Sequence, residues 1–94
     1  MAYVYILYSL KIDKYYIGSC LDLEARLQEH NLHTNNNSFT LRSNDWQIYF
    51  SIGGLGYHQA RQIEQHIKRM KSRKYIENLK RYTSISEKLV AKYK

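Results

Sequence analysis

Proline is absent from this chain, and with 44% apolar and 14% aromatic residues the composition is that of a folded domain and not of a disordered tail. A single cysteine, Cys20, excludes an internal disulfide. No Cys/His spacing matches a zinc finger or ribbon, and the pair His30 and His33 has no partners to complete a four-ligand site. Cys20 is therefore read as an inert, half-buried small residue. No apolar run approaches the length that spans a bilayer, and the N-terminus lacks the charged and then apolar pattern of a signal peptide, so a cytoplasmic protein with no membrane partner is expected. Ninety-four residues suit one domain, 1–94, and leave no room for a second catalytic module.

What the chain has in excess is positive charge, unevenly spread. Residues 1–60 carry four Lys/Arg against five Asp/Glu, whereas residues 61–94 carry eleven against three. Such asymmetry attracts polyanions, because phosphate neutralisation by Lys and Arg releases condensed counterions. Nucleic acid is the leading partner on this ground, although a solvated helical face would carry the same charges.

Residues 3–9 are β-branched and aromatic with apolar side chains on both alternating faces, which predicts a central strand. A polar link with turn-prone Asp13 leads to a returning strand, Tyr15-Tyr16-Ile17, that ends at Gly18. Asp22 is the expected N-cap of a helix running to about Asn31, with Leu23 and Leu27 inward. The Asn-rich stretch from His30 to Asp45 reads as a long loop, and Trp46 to Ile52 as a third strand broken by Gly53-Gly54-Leu55-Gly56. From about Tyr57 a helix places Ala60, Ile63, Ile67 and Met70 on one stripe. Ile76 and Leu79, then Ile85, Leu89 and Val90, mark two shorter helices with Thr83 or Ser84 as the cap between them. The order predicts an α/β or α+β domain with a small, three-stranded, mostly antiparallel sheet flanked by helices.

Ten tyrosines supply most of the aromatic content, and five fall in "YVYILYSLKIDKYYIG", residues 3–18. "YVY", then ten residues, then "YIG" resembles the signature of the GIY-YIG nucleases, with Tyr5 and Tyr16 as its two tyrosines. "DLEARLQEH" is similar to the family's following helix and supplies Arg26 and His30. "ARQIEQHIKRMKS" is similar to the helix that carries the family's metal-binding glutamate, here Glu64. The likeness extends over about residues 1–82 and is to small stand-alone members. Tyr3 and Val4 replace the first glycine and isoleucine, and the turn glycine before the second strand is missing, which alters packing and turn geometry more than chemistry.

The resemblance implies a metal-dependent DNA endonuclease that hydrolyses a phosphodiester bond. Branched, nicked, single-stranded or damaged DNA is the expected substrate, in repair or recombination, with a targeting protein as a further partner. Tyr5 would accept or relay the proton of the attacking water, and Tyr16 would position water or phosphate. Arg26 would hold the scissile phosphate with its planar fork. Glu64 would bind one Mg2+ or Mn2+, an ion that takes one or two carboxylates and fills its other positions with water and phosphate oxygens. A free phenol has a pKa near 10, so Tyr5 needs nearby positive charge, with Lys14, Arg26 and the metal as candidates. His30 is either a proton-transfer or phosphate-binding group or a hydrogen-bonded scaffold residue. Asn78 would line the site or is a helix-surface residue, Thr40 and Arg42 would meet the DNA backbone or belong to a solvated loop, and Lys14, itself open to reading as a solvated turn residue, would follow phosphates with Lys68, Arg69, Lys71, Arg73 and Lys74. The competing expectation is a nucleic-acid-binding module that keeps the fold without catalysis.

Overall fold

Strand β1, Ala2–Ser9, organises the molecule. Alternation sends Ala2, Val4 and Ile6 to one face and Tyr5 and Leu7 to the other. In the computed structural model, which describes residues 1–33 and 38–94, both faces are covered. β2, Lys14–Cys20, and β3, Gln47–Leu55, flank β1 in an antiparallel sheet of order β2-β1-β3. Tyr5 stands opposite Gly18 on β2 and Ser51 on β3. The α+β architecture and the central position of β1 agree with the sequence pattern.

Helix α1, Leu23–Leu32, starts where the Asp22 carboxylate accepts the N–H of Ala25 at 3.1 Å, and it ends at His33 in a left-handed conformation. It covers the Tyr5 face together with the single 3-10 turn Thr40–Arg42, Phe39 and Trp46. Helices α2, Tyr57–Met70, α3, Arg73–Arg81, and α4, Thr83–Lys92, belong to the opposite face, where Ala60, Ile63, Ile67, Leu79 and Leu89 pack on Val4 and Ile6. α4 is held to α2 by Gln59 Nε2, which donates to the Val90 carbonyl at 3.0 Å, and by a 2.9 Å hydrogen bond between His66 Nδ1 and the Tyr93 hydroxyl.

Several boundaries differ from the sequence reading. β2 continues past Gly18 to Cys20. β3 runs through Gly53 and Gly54 to Leu55, because the two glycines oppose the single residue Tyr3 in a bulge that bends the strand without ending it. Gly54 takes φ +69, and a Cβ on Gly53 would lie 2.8 Å from the Tyr3 ring, so a side chain is disfavoured at both positions. Met70 is 45% exposed, since α2 stops there and Lys71 turns the chain away in a left-handed conformation. Neither Thr83 nor Ser84 caps α4; Tyr82 occupies the cap position without a side-chain hydrogen bond. The expected loop of residues 30–45 also shrinks, because α1 takes its start and the 3-10 turn takes part of its end; residues 34–37 lie outside the described residues.

Part of the tyrosine surplus is explained at the hairpin tip. Tyr8, Tyr15 and Tyr49, one from each strand, cluster with centroid separations of 4.9 and 5.1 Å, and Arg73 and Lys80 of α3 lie over Tyr15 and Tyr49. Asp13, at φ 52 in the turn, accepts from the Tyr8 hydroxyl at 2.6 Å and from both terminal nitrogens of Arg73 at 2.8 and 3.3 Å. These donors hold the Asp13 carboxyl down to about 2, with the Arg73 hydrogen bond as the largest cause. Arg73→Ala should speed amide hydrogen exchange at residues 10–14 and return the Asp13 titration, followed by NMR, toward the ordinary carboxylate range; an unchanged tip would refute this tether.

Candidate active site

Tyr5 lies on the α1 face of the sheet, 1% exposed, with its phenol directed across β2. A Cβ on Gly18 would lie 2.5 Å from the Tyr5 oxygen and 2.6 Å from Cζ, so the ring crosses β2 only where a side chain is missing. α1 supplies the other walls. Its inward stripe runs Leu23, Leu27 and His30, and places the His30 ring, 1% exposed, against both phenols. His30 Nε2 is 2.9 Å from the Tyr5 hydroxyl, and the ring centroids of Tyr16 and His30 are 5.0 Å apart. Arg26, one turn earlier, lies on the edge of the helix beside Tyr5 and pairs with Glu29 at 3.3 Å.

Thr40 closes the back of this assembly. Its Oγ1 is 2.8 Å from His30 Nδ1, so both ring nitrogens are engaged. At 1% exposure Thr40 cannot meet a DNA backbone, which corrects the expectation for that residue; it is a partner of His30. The segment that carries it is clamped on both sides. Asn31 and Trp46 exchange two hydrogen bonds, of 2.9 and 2.7 Å, and the Trp46 indole donates to the Thr40 carbonyl at 3.0 Å. Further along, the Ser9 and Ser43 hydroxyls donate to Asp45, whose other oxygen accepts the Lys11 N–H at 3.0 Å.

Glu64 approaches from the other face, on α2. Ser19 of β2 donates to its Oε1 at 2.6 Å, and the Lys68 ammonium lies 2.6 Å from its Oε2. Lys68 also stands 6.0 Å from the centre of the Tyr16 ring. The two halves therefore meet around the exposed edge of β2, linked by Ser19 and Lys68. Beside them a cleft of about 480 Å³ opens between α1 and α2, lined by Ser19, Cys20, Arg26, Glu29, Tyr57 and Arg61. Burial pushes the Cys20 thiol upward, away from the reactive range.

The remaining residues that the sequence singles out spread outward from this centre. Arg42 is exposed and stacks over Phe39, whose ring is 5.9 Å from Tyr16, but it does not line the cleft. Lys68, Arg69 and Lys71 line one exposed groove on α2, and Lys74 is exposed on α3. Arg73 is committed to Asp13 and does not stand ready for phosphate. Lys14 pairs with Ser9 at the hairpin tip, four residues along β2 from Gly18 and hence about 13 Å away, too far to lower the Tyr5 pKa. Asn78 closes α3 through its carbonyl, which accepts from the Tyr82 N–H, and does not line the cleft.

Residues 1–78 match the model of the GIY-YIG catalytic domain. The chain belongs to the GIY-YIG family. No curated protein and no solved structure matches it. The family's catalytic domain implies a nuclease acting on DNA, and its members generally use divalent metal ions. Among the described residues no group of three or more His, Cys, Asp or Glu side chains is placed to hold a metal ion.

Electrostatically, Tyr5 and His30 are both held in their neutral forms. Burial raises the Tyr5 pKa above that of a free phenol, the neighbouring Tyr16 adds to this, and Arg26 opposes it without prevailing. Burial, then the charge of Arg26, pushes His30 down to about 4. A neutral imidazole has one donor and one acceptor nitrogen, so the hydrogen-bonded chain Tyr5, His30, Thr40 takes one of two directions, set by the tautomer. Sequence reasoning misses Ser19, Tyr57 and Arg61 as neighbours of the site. Only the register that faces Ser19 toward α2, and the packing of α2 beside α1, brings them there.

Gly18→Ala should displace the Tyr5 phenol by about an ångström and reduce cleavage on the order of 100-fold, with DNA affinity retained; wild-type cleavage rates in this variant would refute the proposed close approach. Because the folded-state pKa of His30 is depressed, the unfolded chain binds the extra proton between about pH 6.5 and 4, so stability falls as pH drops through that window. His30→Gln should flatten the loss in thermal melts across that range. Asp13 and Asp45, held down to about 2, lose their contributions only at lower pH.

Proposed function

We propose that this protein is a metal-dependent endonuclease that cuts branched, nicked, single-stranded or damaged DNA. The observation that carries the reading is the contact of Tyr5 with His30 and Arg26 beside a cleft whose Ser19 wall is hydrogen-bonded to Glu64. In-line displacement at phosphorus needs a held phosphate, an oriented water and a path for its proton.

Arg26 holds the phosphate. It already favours negative charge at Tyr5, and its pairing with Glu29 leaves it 40% exposed at the cleft. Tyr5 passes the proton of the attacking water onward and does not wait as a phenolate. Its own proton goes to His30 Nε2 while Nδ1–H points at Thr40, the tautomer in which Tyr5 donates. Tyr16, against the same imidazole, orients the water or phosphate.

The donor set fits a hard divalent ion. Glu64 offers a carboxylate 18% exposed, and a cation, the Lys68 ammonium, already rests on its Oε2. A bound Mg2+ or Mn2+ would polarise the phosphoryl oxygens. Glu64 would hold it, and Lys68 would move off Oε2 toward the phosphate.

Purified protein should nick a panel of labelled DNA structures in the presence of Mg2+ or Mn2+. Tyr5→Phe, Arg26→Ala and Glu64→Ala should each lower the rate by at least about 100-fold while circular dichroism stays unchanged. Wild-type protein that binds these DNAs and cuts none would instead establish the non-catalytic binding module.

A further inference from the structure

Arg61 lies between two depressions on the surface of α2. One is the cleft shared with Arg26 and Ser19; the other, about 460 Å³, is lined by His58, Gln62, Gln65, Arg69 and Tyr93 as well as Arg61. Among the described residues no carboxylate pairs with the Arg61 guanidinium, in contrast to Arg26, which has Glu29, and Lys68, which has Glu64. The neighbour of Arg61 is Tyr57, one turn earlier, with Nη1 3.4 Å from the phenol oxygen and the guanidinium 5.9 Å from the ring centre. Tyr57 is 57% exposed, in a chain whose other described tyrosines are mostly packed.

We propose that Tyr57 and Arg61 form a nucleotide site flanking the scissile position, where Arg61 takes the phosphate and Tyr57 stacks on the base of an unpaired DNA strand. The inference rests on the nuclease reading for its placement next to the scissile phosphate, and it narrows the substrate to DNA with an unpaired strand at a named pair of residues. An exposed aromatic ring beside an arginine is the arrangement that holds single strands without reading sequence. A tyrosine can stack only on a base whose face is free. Inside a duplex both faces are covered by neighbouring pairs, so this site selects flaps, gaps and single strands over continuous duplex. Beyond Arg61 the strand runs into the second groove, where Arg69 supplies the next cation.

The test measures binding of the full chain without divalent metal, by fluorescence anisotropy, to labelled oligo-dT, a flapped duplex and a blunt duplex. Oligo-dT and the flap should bind more tightly than the blunt duplex. Tyr57→Ala should weaken oligo-dT and the flap by about five- to tenfold and leave the blunt duplex unchanged, while Tyr57→Phe retains wild-type affinity. Arg61→Ala should weaken oligo-dT and reduce the slope of log K against log salt by about one phosphate contact. Where cleavage is measurable, Tyr57→Ala should raise KM on flapped DNA and leave kcat in place. Oligo-dT affinity that is absent in the wild type, unaltered by Tyr57→Ala, or lost equally with duplex affinity overturns the proposal. The nuclease reading fails separately: a wild type that shows the predicted binding pattern and cuts nothing loses the catalytic role and keeps the strand site.

Discussion

The arrangement of the site depends on one crossing, the Tyr5 phenol passing over Gly18. β1 is buried on both faces, so a side chain leaving it can reach the edge of the sheet only sideways, across a neighbouring strand. β2 permits this at a single residue, and the register sets that residue opposite Tyr5. Once across, the hydroxyl meets His30 on α1. His30 in turn is fixed by Thr40, and Thr40 by the Trp46 indole. A glycine that would elsewhere cost strand stability is therefore tied, through this chain of contacts, to the orientation of an imidazole on a helix and of a loop ten residues further on.

Burial has an electrostatic consequence that works against simple base catalysis. The environment that orients Tyr5 also desolvates it, and desolvation outweighs the nearby guanidinium, so the phenol holds its proton more firmly than in water. The same environment keeps His30 neutral to about pH 4. A strong acid or base is thus absent from the pair, but a neutral donor and a neutral acceptor 2.9 Å apart can pass a proton when a neighbour changes charge. Arrival of an anionic phosphate at Arg26 would partly neutralise the one group that favours phenolate. A cation at Glu64 would act in the opposite sense. In the mechanism proposed above, the balance between the two belongs to the loaded state, and substrate and metal would act jointly on the phenol.

Much of this is legible in the residues, and the reasons differ by element. The two-faced pattern of 3–9 forces a central strand, and the 3–4 spacing of Ala60, Ile63 and Ile67 forces one buried helical face; both signals are one-dimensional and survive intact. Motif spacing locates Tyr5, Tyr16, Arg26 and His30, which the sheet and α1 do bring into contact range. Glycine misleads, because a bulge and a strand end look alike until the partner strand is known, and only Tyr3 opposite Gly53 and Gly54 distinguishes them. Charge misleads in the same way. Arg73 and Lys74 are adjacent in a basic run, yet one is locked to Asp13, sixty residues earlier, and the other is exposed. Thr40 reads as a loop residue facing solvent, since nothing local records that Asn31 and Trp46 clamp its segment inward.

The position of Glu64 follows from where the sheet stops. α2 packs on the face opposite the phenols, so through the middle of the sheet its carboxylate would be separated from them by the strands themselves. β2 is an edge strand, and Ser19, whose side chain faces α2, lies one residue beyond Gly18, over which Tyr5 passes. Adjacent residues on a strand point to opposite faces, so Gly18 and Ser19 together link the two sides within a single peptide unit. A longer sheet, with a fourth strand beyond β2, would bury that edge and separate the halves. The open edge of the three-stranded sheet is what lets a carboxylate from one layer and a phenol from the other approach the same strand, as the proposed mechanism requires.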